Sequence, residues 1–110
     1  MAPYLLVRVR FFTRNEGGRS APVTTGYRAP ASFDEVKNSP PSMYDFELQL
    51  IDRESVEPGQ QVRAKLIPAS PESWPARQRG QRVRIHEGRK HVGDAYIEEV
   101  RLRAPSAETA

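Results

Sequence analysis

The 110 residues contain no cysteine, which removes disulfide frameworks, thiolate zinc sites and cysteine nucleophiles together. That composition is compatible with a reducing compartment. Long apolar runs are also missing. The most apolar stretch, Tyr4 to Phe12, is interrupted by Arg8 and Arg10 and lacks a basic leader and a small-residue cleavage site, so it reads as neither a membrane span nor a signal peptide. The expected address is the cytoplasm, with no membrane partner. Histidine occurs only at His86 and His91, and neither has a serine and an acid at a known catalytic spacing. Two imidazoles with no cysteine and no convergent carboxylate make a poor metal site. No catalytic residue, metal or cofactor is expected, and the sequence argues against an enzyme.

Sustained helical periodicity is absent as well, and what stands in its place has period two. In Tyr4 to Phe12, residues Leu5, Val7, Val9 and Phe11 share one face and Arg8 and Arg10 the other, the mark of a half-buried strand. The alternation returns at 44–50, 62–66 and 83–86. Ten prolines and seven glycines fall mainly between these runs, where turns connect strands. The spacing predicts an all-β fold, a closed antiparallel six-stranded β-barrel. Its last strands, 82–87 and 91–102, form a hairpin around Gly88, Arg89 and Lys90, with Gly88 free to take positive φ. Residues 28–42 and 69–81 are the expected long loops. A chain of this length holds one small domain, with expected bounds 1–103 and a disordered polar tail at 104–110.

The net charge of +3, from 17 basic and 14 acidic residues, is ordinary, so distribution matters more than the total. Arg77, Arg79, Arg82, Arg84, Arg89 and Lys90, with His86 and His91, are interrupted by one acid, Glu87. On a barrel wall such residues could neutralise several phosphates, with Arg19 and Arg28 extending the stripe. The alternative is a solvated exterior in which strand arginines pair across the sheet with Asp45, Glu47, Glu98 or Glu99. Trp74, between Pro71 and Pro75, is either an exposed anchor for a partner or a plug over the end of the core.

Three stretches, "EGGRSAPVTTGYRAP" (16–30), "PGQQVRAKLI" (58–67) and "RVRIHEGRKHVGDAYIEEV" (82–100), together resemble the C-terminal β-barrel domain of elongation factor Tu. In that family the corresponding stretches read Glu-Gly-Gly-Arg-His-Thr-Pro followed by Gly-Tyr-Arg-Pro, then Pro-Gly-Asp, then Arg-Glu-Gly-Gly-Arg-Thr-Val-Gly. The three blocks keep the family's order over nearly the whole chain. The resemblance implies a stand-alone barrel used as a translation-related binding module. The family's GTPase domain has no counterpart here: there is no Gly-x-x-x-x-Gly-Lys-Ser/Thr loop, so no GTP is expected to bind this chain alone.

The family barrel helps to hold the T stem of aminoacyl-tRNA, using the first glycine of the last hairpin and the basic residue two positions before it. Gly88 keeps the first and His86 replaces the second. Arg84 stands where the family has a small alanine near its nucleotide domain. Trp74 lies in an insertion relative to the family. Two kinds of partner stay open. One is structured RNA such as tRNA, held by Arg77, Arg79, Arg82, Arg84, His86, Gly88, Arg89 and Lys90. The other is a protein, with Gly17, Gly18, Arg19, Arg28 and Trp74 at the contact.

Overall fold

The computed structural model describes residues 3–34 and 43–102. The expected 104–110 tail, and residues 35–42 of the first long loop, lie outside these. Among the described residues eight strands run in chain order: β1 (Tyr4–Phe11), β2 (Val23–Thr24), β3 (Tyr27–Phe33), β4 (Tyr44–Leu50), β5 (Ser55–Val56), β6 (Gln61–Pro68), β7 (Arg82–Glu87) and β8 (Lys90–Arg101). Six of them close an antiparallel barrel in the order β1-β6-β4-β3-β7-β8, and β2 and β5 form a separate two-stranded ribbon. The period-two runs are thus barrel staves. Their inward residues, among them Leu5, Val7, Val9, Phe46, Leu48, Ala64, Leu66, Val83 and Ile85, are almost wholly removed from water, and that burial is the main force closing the barrel.

One expected loop is partly a strand. Tyr27–Phe33 is β3, paired with β4 through Tyr27↔Leu48 to Ala31↔Tyr44. Only Ala31, Ser32 and Phe33 pair with β7, so the first half of β3 is an edge on that side, where a sheet tolerates the missing N–H of Pro30. The 69–81 connection is a loop as expected, with one 3-10 turn at Pro71–Ser73.

Two plugs fill the barrel's ends. At one, the β2–β5 ribbon buries Val23 and Val56 and is tied down by Gly26 N–H to Leu48 O and Gly59 N–H to Phe11 O. At the other, Trp74 packs edge-on against Phe33 and Tyr44, at 5.2 and 6.0 Å between ring centroids. Two β-bulges break the ladder. One, between Leu6 and Val7, sets Glu98 apart on β8; the other lies beside His86 and leaves Val92 as the extra residue. No helix among the described residues is long and apolar enough to cross a membrane.

Candidate functional site

The residues marked by the sequence as RNA contacts collect on the outer wall of β7 and β8, and β7 dictates how. Its alternation sends Val83 and Ile85 into the core and Arg82, Arg84 and His86 outward. The outward row does not run uninterrupted. Arg82 donates Nε and Nη2 to Asp34 at 2.9 and 2.7 Å, and its Nη1 lies 3.6 Å from Asp94. Arg84 reaches the same Asp34 at 2.9 Å and also donates to Ser32 Oγ and Phe33 O. A bidentate arginine fork on a carboxylate is the strong form of this contact. The hydrogen bonds from Arg82, with the nearby Arg84 charge, hold the Asp34 carboxyl below the usual carboxylate range.

The expected cross-sheet pairing is therefore present with partly different partners. Glu98 takes Arg8 and Arg63, at 2.8 and 3.0 Å, but β7 uses Asp34 and Asp94 rather than the acids anticipated for it. The arginine run, interrupted in sequence by Glu87 alone, is interrupted in space by these two more. Arg77 is buried at the Trp74 end, its guanidinium 4.3 Å over the Phe33 ring. Lys90 donates to Gly18 O at 2.9 Å. Arg79 in the 69–81 loop and Arg89 beside Gly88 are exposed. The eight RNA candidates thus split among a barrel end, a neutralised wall and a hairpin tip.

His86 and His91 face each other across the hairpin, with ring centroids 5.4 Å apart. Each has a different neighbourhood. His91 Nε2 is 2.7 Å from Asp94 Oδ1, and its ring packs on Phe12. His86 is buried, with Nε2 2.8 Å from Ser32 Oγ and no hydrogen-bond partner for Nδ1 among the described residues. Burial, then the charges of His91 and Arg84, push its imidazole below the ordinary value. The sequence showed no serine for either histidine, and the fold supplies Ser32 from 54 positions away. Yet Ser32 is buried too, and no carboxylate orients the far ring nitrogen, so the pair lacks the third member of a triad. Among the described residues no group of three His, Cys, Asp or Glu is placed to hold a metal ion.

The protein-contact candidates separate as well. Gly17 takes φ +85° after a 3-10 turn, and Gly18 sits so close to Phe12 that a Cβ would fall 2.1 Å from its carbonyl oxygen. Arg19 ion-pairs with Glu87 and lies over the Tyr27 ring, while the Tyr27 hydroxyl donates to the same carboxylate at 2.6 Å. Burial first, then this bond to Glu87, pushes the Tyr27 hydroxyl well above its usual range. The 16–28 loop is thereby locked to the β7–β8 hairpin. Arg28 is exposed beside Glu47 at 3.4 Å, at a groove of about 540 Å³ that includes Pro30, Asp45 and Ile67. Trp74 is 8% exposed and packs on Phe33, the last residue of β3. Tyr27, the first, lies roughly 20 Å away at strand rise, so Trp74 and the glycine-rich loop sit toward opposite ends of the barrel.

Sequence reasoning missed Asp34, Asp94, Ser32 and Tyr27. Counting regularly back from the hairpin tip pairs Arg84 with Gly93; the Val92 bulge advances the register and brings Asp94 opposite instead. Ser32 and Asp34 fall in the 28–42 segment, which read as loop, and Tyr27 stands just before it at the start of β3. No protein-family model matches the chain, and no curated protein is similar enough to be matched.

Proposed function

We propose that this chain is a non-enzymatic, cytoplasmic binding module resembling the C-terminal barrel of elongation factor Tu, and that it docks a protein partner from the translation machinery. The link to translation comes from the three sequence blocks; the closed antiparallel barrel is compatible with it. The choice of a protein over RNA rests on one observation: Arg82 and Arg84, the centre of the basic run, are already held by Asp34 and Asp94. A phosphate would have to displace those carboxylates and would meet their negative charge, whereas counterion release rewards only cations that are free to neutralise it. The 16–28 loop, rigid through Gly18, Arg19 and Tyr27, offers a partner a surface whose ordering is already complete, which lowers the entropic cost of docking.

A pull-down from native lysate, with and without nuclease, tests this reading. A translation factor or ribosomal protein identified by mass spectrometry should stay bound after nuclease treatment. Retention of nothing, or loss of all bound protein on nuclease treatment, would overturn it.

A further inference from the structure

The wall formed by β6, β1 and β8 carries an exposed aromatic ringed by arginines, a combination the sequence did not single out. Tyr96 is 49% exposed, the most exposed large apolar residue among those described. In register it stands opposite Arg8 on β1 and Arg82 on β7. Beside it lies a groove of about 250 Å³ lined by Arg8, Arg10, Phe12, Gln61, Asp94 and Tyr96. That volume lies below the span of typical small-molecule sites and suits one inserted side chain.

Charge on this wall is layered. The bulge beside Val7 aims Glu98 between Arg8 and Arg63, so one carboxylate serves two guanidiniums and the group keeps a net positive charge. Glu98 is the more sheltered member at 28% exposure, against 52% and 56% for the two arginines. The acid lies at the base and the cations stand at the rim. Arg10 is held by Glu16 through two contacts, at 2.9 and 3.1 Å, so the wall continues into the glycine-rich loop. Tyrosine and arginine are the residue types that protein interfaces concentrate at their centres, while lysine is depleted there.

We infer that this wall is a docking surface for an acidic segment of a protein partner: carboxylates meet Arg8 and Arg63, and an apolar side chain enters the groove against Tyr96 and Phe12. The inference rests on the protein-binding reading above and names its surface and the partner's chemistry. A nucleic-acid strand fits less well. Binding along a strand uses successive stacking platforms, whereas this wall has one strongly exposed ring.

The test uses a fluorescein-labelled peptide of alternating glutamate and leucine, with polyuridine RNA as the competing probe, measured by anisotropy on the full chain. Saturable peptide binding is expected, at least tenfold weaker in Tyr96→Ala and in Arg8→Glu/Arg63→Glu, and unchanged in Arg79→Glu. Circular dichroism of the variants should match the parent, and so should the thermal midpoint of Tyr96→Ala, since that ring is exposed; the midpoint of Arg8→Glu/Arg63→Glu should fall modestly, because Glu98 loses both partners. Absence of peptide binding, preference for polyuridine, or unchanged affinity in Tyr96→Ala would each overturn the inference. If nuclease-resistant capture of the translation partner persists in both variants, this surface is wrong while the protein-binding reading stands. If the parent captures nothing, that reading fails first.

Discussion

Gly18 and Gly88 respond differently to the same added methyl. At Gly88 the backbone has φ +62° with open space where a Cβ would go, so Gly88→Ala meets only the left-handed penalty of about 1 kcal/mol. At Gly18 the methyl would press into the Phe12 carbonyl, and backbone has to move; about 3 kcal/mol is expected, the upper end for overpacked sites. Urea midpoints of the two variants check the order, and equal losses would contradict it. His86 adds a pH dependence whose sign follows from its depressed affinity for a proton in the fold. The unfolded chain binds that proton at higher pH, so the stabilisation is complete above the ordinary histidine value of about 6.5 and is lost as pH falls through it. The lowered carboxyls Asp34 and Glu98 lose theirs in a separate, more acid window. Parent protein should therefore drop in urea midpoint between about pH 7.5 and about pH 5.5, and His86→Gln should drop less. An equal fall in both would assign the effect elsewhere.

Elements differ in how legible they were. β1, β4, β6 and β7 announce themselves because each buries one face and wets the other, so the period-two pattern is a direct image of the barrel wall. β3 hides: Ala29, Ala31, Ser32 and Phe33 are all buried, Pro30 argues against a strand, and the element exists because β4 and β7 need a partner between them. The candidate site followed the same division. The outward positions of Arg82, Arg84 and His86 could be counted from alternation, but their acids could not, since Asp34 follows the hidden strand and Asp94 arrives through a bulge. Trp74 shows the same limit in the 69–81 loop, where composition alone left anchor and plug open. Its packing on Phe33 and Tyr44 makes Trp74→Ala a core deletion, with an expected loss of about 3 to 5 kcal/mol. Chemical denaturation checks this, and a loss below about 1 kcal/mol, the usual scale of a surface substitution, would contradict the plug.

At the scale of the molecule, closure of the barrel leaves few backbone edges for a partner strand, so recognition has to run through side chains on the outer wall. Those side chains are largely charged, and the distribution of acids decides between partners. Asp34, Asp94 and Glu98 each serve two arginine or histidine partners, which tempers the positive field that the basic run from Arg77 to His91 promised. Filter binding of bulk tRNA over a series of salt concentrations tests the choice of protein over RNA most directly. Micromolar protein is expected to retain no tRNA in a saturable way even at low salt. Saturable retention whose log–log salt slope grows by roughly 0.7 to 0.9 per phosphate, and flattens in Arg84→Glu/Arg89→Glu, would contradict it.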